Sequence, residues 1–391
     1  MPAHILVAGG GIAGLASALA LAQRRHRIDL LEQALAFGEV GAGIQLGPNV
    51  TRRLQALGVW QALMRVAARP DALVVRHAIG GGEIARMPLG NAMLRSYGAP
   101  YLCVHRADLH GLLLAAVRAS GAVTLTTGAR VTQVVARLDA VCASSSEARA
   151  WEGDALIGAD GLWSTVRAEL LGVMPPQATG HTAWRALVEQ STLPAALRSK
   201  QVEVWLGPRL HAVAYPVCRG EWLNVVVLAE SAPLGDARDW DQASSLSTLR
   251  QATGRVDGSL QALLEAVPQW RAWTLSDRPP LEGPAQMAGD RLALVGDAAH
   301  PMLPYLAQGA GMAIEDAVAL AEALDGGGSD QVPAALARYA EARWERNAAV
   351  QSRARRNGAI FHATGLLRLG RDAALRLLGP RLLDVPWLYD Y

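Results

Sequence analysis

The segment HILVAGGGIAGLASALALA, residues 4–22, decides the fold of this chain. It consists of a short apolar run, three consecutive glycines, and a stretch rich in alanine and leucine that is typical of a helix. A second apolar run, residues 27–31, follows and leads into Glu32. Strand, glycine turn, helix and second strand together span roughly 30 residues, the size of a β-α-β unit. The opening of the chain therefore predicts an α/β fold.

Gly9, Gly11 and Gly14 have the G-x-G-x-x-G spacing of dinucleotide-binding turns. Glycine lets the backbone turn sharply and approach a pyrophosphate, whose charge is stabilised by the amides at a helix N-terminus. Glu32 ends the second strand, where a carboxylate can accept hydrogen bonds from ribose hydroxyls. The alternative is a tight turn that binds no ligand. We expect cofactor contacts from Gly9, Gly11, Ala13, Gly14, Glu32 and Gln33.

Length and composition exclude several other classes of protein. With 391 residues, the chain is longer than one hydrophobic core usually supports, so we expect two closely packed domains. Its net charge of +2, without a basic tail, argues against a nucleic-acid partner. The three cysteines form no CxxC pair and no cluster has metal-ligand spacing, so we expect neither a disulfide reductase nor a metal site. We also expect a cytoplasmic protein without a membrane span.

Two further segments place aspartate and glycine after a predicted strand. Asp160 and Gly161 follow residues 156–158, and Asp297 follows a strand at 291–295. An aspartate there can accept hydrogen bonds from sugar hydroxyls, and Asp297 suits the ribityl chain of a flavin. A second glycine cluster opens a helix whose dipole would stabilise charge on a reduced flavin ring. Helix capping by aspartate and glycine is the alternative in each case. The cluster comprises Gly309, Ala310, Gly311 and Met312.

The middle of the chain changes to alternation with a period of two. Residues 202–206, 210–216 and 223–228 are short alternating or apolar runs. They predict an antiparallel sheet inserted into a Rossmann-like, FAD/NAD(P)-binding domain. Residues 332–365 predict a long helix, and the residues after it an irregular end. The predicted division assigns residues 1–75, 100–178 and 281–345 to a discontinuous FAD-binding domain, 76–99 and 179–280 to a substrate domain, and 346–391 to a C-terminal helical extension.

These segments, in this order and spacing, resemble the class A FAD-dependent aromatic hydroxylases. The resemblance covers nearly the whole chain and includes residues 38–48 and 105–109. It implies FAD as cofactor, NADH or NADPH as electron donor, and hydroxylation of a small aromatic acid by O2 through a C4a-hydroperoxyflavin. It further implies that Arg106 contacts the flavin and that Asp160 and Gly161 serve both FAD and the nicotinamide coenzyme. The family has no separate nicotinamide-binding domain, and this chain has no second G-x-G-x-x-G.

The strand predicted at residues 210–216 supplies the candidate catalytic residues, His211 and Tyr215. Positions 211, 213 and 215 share one face of a strand, and His211 and Tyr215 lie about 13 Å apart at roughly 3.3 Å per residue. The two side chains are thus spaced to flank a ring-sized substrate. Histidine suits proton transfer near neutral pH, and tyrosine suits holding a carboxylate or phenol oxygen. The resemblance implies these roles; the alternative is a strand that carries the two residues without forming a site.

Four residues are weaker candidates for substrate contacts: Gln45, Arg185, Pro304 and Tyr305. The resemblance puts Gln45 and the loop at 303–306 near the flavin, and Arg185 suits an anionic group, although an ordinary ion pair is the favoured alternative for it. No tyrosine pair like that of 4-hydroxybenzoate hydroxylases is found, which leaves the substrate open. We expect 3-hydroxybenzoate or salicylate first. The alternatives are a hydroxynicotinate, urate, quinone-precursor or tetracycline oxygenase, or a non-catalytic flavin-binding protein; the oligomeric state is open, with a homodimer as one option.

Overall fold

The computed structural model describes residues 2–38 and 41–391. Glu39 and Val40, which belong to the segment 38–48 of the family resemblance, lie outside the described residues. The helices are, in chain order, α1 (Ile12–Gln23), α2 (Pro48–Ala56), α3 (Trp60–Val66), α4 (Gly90–Tyr97), α5 (Arg106–Ser120), α6 (Thr165–Leu171), α7 (Leu246–Thr253), α8 (Gly258–Ala266), α9 (Gly309–Leu324), α10 (Val332–Phe361), α11 (Gly365–Leu378), α12 (Pro380–Leu383) and α13 (Pro386–Tyr389). The strands are β1 (His4–Ala8), β2 (Arg27–Leu31), β3 (Gly43–Leu46), β4 (Ala72–His77), β5 (Glu83–Pro88), β6 (Leu102–His105), β7 (Val123–Thr126), β8 (Val131–Ala136), β9 (Val141–Ser145), β10 (Ala150–Gly153), β11 (Ala155–Gly158), β12 (Gln177–Glu189), β13 (Val202–Gly207), β14 (Leu210–Val217), β15 (Trp222–Glu230), β16 (Gln242–Ser244), β17 (Trp270–Asp277), β18 (Ala288–Gly289) and β19 (Leu292–Leu294).

The first large sheet contains the predicted β-α-β unit. Its strand order is β18-β19-β11-β1-β2-β7, and every neighbouring pair is parallel except β18 with β19. β1 lies inside this sheet, where an apolar strand can be buried on both faces. Helix α1 connects β1 to β2 and buries nine of its twelve residues, mainly alanine and leucine. The α/β prediction is confirmed, and both predicted strands have the expected bounds.

The second large sheet has eight strands in the order β16-β17-β12-β15-β14-β13-β4-β5. Its pairs are antiparallel except β13 with β4, which are parallel. One face is covered by α7 and α8, whose leucines pack on Leu210, Ala212 and Ala214 of β14. The opposite face of β14 meets residues of the first domain, including Met312 of α9. This second face is therefore the one that can form a site between the two sheets.

The observed elements bear on the predicted domain division at three points. The divisions at 75/76, 178/179 and 345/346 fall inside β4, β12 and α10, respectively. β4 and β5 belong wholly to the second sheet, so the first segment of the substrate domain begins before residue 76. Helix α10 has 30 residues and runs without interruption across the third point. The division remains a prediction, with boundaries that fit the loops before β4 and before β12 better.

The end of the chain is helical, which agrees with the predicted C-terminal helices and corrects only the expectation of an irregular end after residue 365. Helix α11 has 14 residues and is followed by two short helices, α12 and α13. Leu375 of α11 packs against Ile84 of β5 and Leu206 of β13, which gives the helix an apolar anchor on the second sheet. The sequence run GLLRLGRDAALRLL places leucines at helical spacing, a period that was not recognised from the sequence. Across the described ranges, no helix is both long and apolar enough to cross a membrane.

Candidate functional site

The glycine turn between β1 and α1 is held by close backbone contacts. Gly9 has a φ of +107°, and a Cβ there would lie 2.3 Å from the carbonyl oxygen of Ala159. A Cβ on Gly14 would lie 1.8 Å from the carbonyl oxygen of Gly9. Both contacts are with backbone, which cannot move aside without shifting a strand or the helix. The sequence therefore needs glycine at both positions for β1, α1 and the end of β11 to meet so closely.

The N-terminus of α1 suits a phosphate. The N-cap residue, Gly11, provides no side-chain hydrogen bond, so the helix end depends on other acceptors for its first amides. Glu32 lies beside the turn, where its carboxylate accepts the N–H of Gly10 at 2.6 Å and the N–H of Ala34 at 2.7 Å. Each carboxylate oxygen has a further lone pair for a ribose hydroxyl. Gly9, Gly11, Ala13 and Gly14 lie around this turn, whereas Gln33 is exposed beyond it. The residues present thus fit the adenosine diphosphate half of FAD.

Asp160 lies at the end of β11, opposite the glycine turn, but its carboxylate is already engaged. It accepts the hydroxyl of Ser164 at 2.5 Å and the N–H groups of Thr165 and Val166 at 2.7 and 3.2 Å. These bonds satisfy the start of helix α6, as the capping alternative expects. Gly161 has a φ of +75°, which makes the sharp turn after Asp160. The binding of FAD or of the nicotinamide coenzyme by these two residues remains a prediction. Asp160 would contribute to it by stabilising the turn after β11.

Asp297 is exposed, although the residues on both sides of it are buried. The turn that presents it is fixed by Asp316 of α9, which accepts the N–H of Gly296 at 3.0 Å. Asp316 also contacts the Nε2 atom of His300 at 2.5 Å and accepts from the Nε atom of Arg343 at 2.9 Å. The network is completely buried. No local pattern in the sequence predicts this network, because its members come from three separate segments.

The predicted cluster at 309–312 forms the first turn of α9, as expected. Gln308 is the N-cap residue and makes no side-chain cap bond. Met312 is buried against the second sheet, in the same apolar cluster as Tyr215. The short loop before α9 places Pro304 on the surface and Tyr305 in the interior. The α9 end therefore lies between the glycine turn on one side and β14 on the other.

Strand β14 places His211, Val213 and Tyr215 on one shared face, as its alternation predicted, and Tyr215 on this face lies in the same apolar cluster as Met312 of α9. Val213 is paired with Val204 of β13 and with Val226 of β15, so the three valines form one row across the sheet. All three are partly exposed, whereas His211 and Tyr215 are buried. The row is thus an accessible apolar strip that crosses β14 between a histidine and a tyrosine.

His211 forms a pair with a residue that sequence reasoning missed. Its Nδ1 atom lies 2.9 Å from the Nε2 atom of His362, at the end of α10. Its ring also lies 5.2 Å from the ring of Tyr305. Burial lowers the pKa of His211 well below its ordinary value, and the neighbouring His362 and His181 lower it further. His211 is therefore a neutral imidazole at neutral pH, and Nε2 is the ring nitrogen that is left for a substrate.

Tyr215 lies on β14 on the other side of Val213 from His211, and beside Gln45. Tyr215 and Gln45 share a side-chain hydrogen bond, and the hydroxyl of Tyr101 donates to Oε1 of Gln45 at 2.7 Å. Burial raises the pKa of Tyr215 above its ordinary value, so its hydroxyl stays protonated and can donate. Gln45 and Tyr215 are thus brought together, while Tyr305, predicted with Gln45 as a substrate contact, lies at the histidine end.

Arg185 forms an ion pair, which was the alternative to a substrate contact. It is buried on β12, where its Nη2 atom lies 2.7 Å from Oδ1 of Asp241. Its guanidinium also lies 4.6 Å from the ring centre of Trp240 and 5.1 Å from that of Trp273. Arg106 approaches the same Trp240 ring at 5.8 Å. A direct substrate contact by Arg185 remains a prediction, since a partner already occupies part of its guanidinium.

Comparison with known proteins connects this geometry to a family. The model of the FAD binding domain family matches residues 3–354. The 3-hydroxybenzoate 6-hydroxylase of Polaromonas naphthalenivorans is 37% identical over 390 residues, covering 99% of this chain and 96% of that protein. The 6-hydroxynicotinate 3-monooxygenase of Bordetella bronchiseptica is 37% identical, covering 89% of each chain. The structure of a salicylate hydroxylase substrate complex is 26% identical with a TM-score of 0.83, covering 100% of this chain and 96% of that one. The chain belongs to the family of FAD-binding flavoprotein monooxygenases.

Proposed function

We propose that this protein hydroxylates a small hydroxybenzoate-like acid, with NADH or NADPH as electron donor and O2 as oxidant. The observation that carries the proposal is the accessible valine row of the second sheet, flanked by His211 and Tyr215. An apolar strip with one polar group on each side of it matches a benzene ring that carries a hydroxyl and a carboxylate. The 3-hydroxybenzoate 6-hydroxylase relative supports this class of substrate.

The chain's own residues would position the substrate and remove its proton. His211, neutral because it is buried, accepts the proton of the ring hydroxyl at Nε2 and leaves an electron-rich phenolate. Tyr215 donates to the carboxylate at the other end, supported by Gln45. The valines bind the ring and exclude water from it. The guanidinium of Arg185 on β12 would attract the carboxylate of the substrate while it keeps its ion pair with Asp241.

FAD, when bound, would supply the chemistry that takes two electrons from NAD(P)H and uses them to activate O2. The amides at the α1 N-terminus would hold its pyrophosphate, Glu32 its adenosine ribose and Asp297 its ribityl chain. The start of α9, the valine row and Arg106 would hold its ring. Asp160 and Gly161 shape the edge at which the nicotinamide coenzyme approaches.

A hydroxypyridine carboxylate is the second candidate substrate. It is favoured by the Bordetella relative, whose identity to this chain equals that of the hydroxybenzoate relative. The same two polar ends suit a hydroxynicotinate, because it also carries a hydroxyl and a carboxylate on one planar ring.

A substrate panel tests the proposal directly. The holoenzyme is mixed with NADH or NADPH and one acid at a time: 3-hydroxybenzoate, salicylate, 6-hydroxynicotinate or urate. We expect one of the first two to stimulate coenzyme oxidation and O2 uptake and to give a product heavier by one oxygen atom.

In His211→Ala we expect FAD to stay bound while hydroxylation falls by roughly 10² or more. His4→Gln is a matched control, since His4 contacts Asp29 at the edge of the first sheet. Full hydroxylation by His211→Ala would remove the base from the scheme.

The assembly and location of the protein also belong to the proposal. Helix α11 exposes Leu366, Leu367, Leu369 and Leu377, which are 85%, 62%, 57% and 83% accessible. An apolar patch of this kind supports a homodimer, because exposed leucines on one helix gain from burial against a second copy. The three cysteines without a disulfide among them support a cytoplasmic location.

A further inference from the structure

Three histidines meet at the His211 end of the site. His181 belongs to β12, His211 to β14, and His362 follows the last residue of α10. The ring centres of His181 and His362 lie 4.9 Å apart, and those of His211 and His362 lie 5.2 Å apart. These residues, the histidine cluster, are supplied by three elements that are distant in sequence. The base proposed above accounts for one of them and leaves the other two unexplained.

His362 connects the base to the interior of the cluster. The Nδ1 atom of His211 and the Nε2 atom of His362 lie 2.9 Å apart, so one proton is shared between the two rings. The other nitrogen of His362, Nδ1, is buried and has no hydrogen-bond partner among the described residues. A buried polar atom of this kind calls for an explanation, such as a water or a proton-transfer role. His362 thus contacts His211 through Nε2 and leaves Nδ1 available to pass a proton onward.

The outer side of the cluster reaches the surface at Glu230. Side-chain donor atoms of His181, Glu230 and His362 all lie within 4.8 Å of one another, close enough for a direct contact or for one bridging water. Glu230 is exposed, and one of its carboxylate oxygens lies 3.6 Å from Nε of Arg209. The hydroxyl of Tyr305 lies 2.5 Å from Nδ1 of His181 and holds that ring in place. A series of polar groups, with gaps of up to 4.8 Å between His362, His181 and Glu230, therefore leads from His211 to solvent.

The burial of these rings makes a stored proton costly. Burial lowers the pKa of His362 to about 3, with further contributions from His181 and Arg371. The pKa of His181 is lowered by burial and raised partly by Glu230. The groups facing the cluster are Tyr305, Glu230, Arg209 and Arg371, of which Glu230 alone is an acid. A proton taken by His211 would be more stable near Glu230 or in water than on the buried ring of His211 or His362.

We propose that His362 and His181 relay the proton taken by His211 from the substrate to Glu230 and solvent. This step rests on the proposed function. The proton moves from the ring hydroxyl to Nε2 of His211, the shared proton moves to Nε2 of His362, and the proton on Nδ1 of His362 leaves toward His181 and Glu230. The O–H bond of the substrate breaks to leave a phenolate, and no electrons are transferred. His362 and His181 act through His211, so they are positioning residues.

The test follows the proton itself. The oxidised holoenzyme is mixed with 3-hydroxybenzoate in a weakly buffered solution that contains a pH-indicator dye, and proton release is recorded in a stopped-flow instrument. In His362→Gln, the amide can still hydrogen bond to His211 but cannot pass a proton through. We expect release to slow by about tenfold or more and to recover when free imidazole is added. Phe361→Leu is the packing control, because Phe361 contacts His211 and carries no proton; its release rate should stay within about twofold of wild type.

A second variant separates relay from packing. Glu230→Gln alters only an exposed side chain, so folding is not at issue. We expect slower release without loss of FAD, and the acid limb of the pH profile of kcat should move to lower pH, because the variant removes the charge that raises the pKa of His181. Release at the wild-type rate in His362→Gln, while wild type hydroxylates an acid of the panel, would overturn the relay and leave the proposed function standing. Failure of wild type on the whole panel would overturn both.

Discussion

The buried network around Asp316 gives a prediction whose magnitude follows from its contacts. Oδ2 of Asp316 meets Gly296 N–H and His300 Nε2, and Oδ1 accepts from Nε of Arg343 and Nδ2 of Asn347. In Asp316→Asn, the amide nitrogen faces two of these donors whichever way it is oriented. Two hydrogen bonds are lost, and bonds to charged groups contribute about 1.5–3 kcal/mol each. We therefore expect a loss of about 3–5 kcal/mol, the usual cost of breaking a buried ion pair.

The free energy of unfolding is measured in urea, with tryptophan fluorescence for the fold and flavin fluorescence for FAD release. Because Asp316 fixes the turn that presents Asp297, we expect FAD to be released at lower urea than the rest of the fold in the variant. Asp325→Asn is the matched control: Asp325 pairs with Arg24 at 2.7 Å but is half exposed, so it should cost at most about 1 kcal/mol. Equal stability of the two variants would refute the reasoning.

The same network predicts a pH dependence. Burial alone would raise the pKa of Asp316, but His300 and Arg343 lower it well below its ordinary value. The stabilisation is therefore complete above the unfolded-state pKa of about 3.9 and is lost as the pH falls through the lower folded-state value. We expect the difference in stability between wild type and Asp316→Asn to shrink below about pH 4. A difference that grows with acid would contradict the assignment.

Three further variants test the cofactor turn, the carboxylate end and the exposed helix. Gly14→Ala should weaken FAD binding by about tenfold or more, roughly 1.4 kcal/mol per factor of ten, because its Cβ would meet a backbone oxygen; Gly111→Ala, with open space around it, should leave FAD binding unchanged in the same fluorescence titration. Tyr215→Phe should raise KM for the acid by about tenfold to a hundredfold, the equivalent of one hydrogen bond to a charged group, and an unchanged KM would exclude Tyr215 from carboxylate binding. The double variant Leu366→Ser and Leu367→Ser should be monomeric by light scattering with its FAD retained, whereas a monomeric wild type would dismiss the patch as a dimer interface.

Local patterns predicted the parts of the fold that depend on neighbouring residues. The β-α-β opening could be read from residues 4–32 because strand, turn and helix each have their own local signal there. The alternation at 210–216 gave the correct shared face of His211 and Tyr215, since side-chain direction follows from strand period alone. The irregular end expected after residue 365 was wrong, because Gly370 and the arginines there weaken the helical pattern of the leucines.

Contacts between distant segments had no local signal. His362 is 151 positions from His211, and nothing in the sequence around residue 362 distinguishes a cluster histidine from any other. Likewise, Asp241 lies 56 positions from Arg185, so the sequence left open whether Arg185 forms an ion pair or contacts the substrate. Tyr305 was predicted at the site but could not be assigned to an end of it, because the orientation of its loop depends on how α9 packs against the second sheet.

The most direct test of the central claim is the fate of oxygen in the product. The purified holoenzyme is supplied with NADH or NADPH, 3-hydroxybenzoate and isotopically labelled dioxygen, and the product is identified by mass spectrometry. The account predicts a dihydroxybenzoate that carries one labelled oxygen atom per coenzyme oxidised. A colourless protein that takes up no FAD, or a flavoprotein that yields only hydrogen peroxide with every acid of the panel, would contradict it.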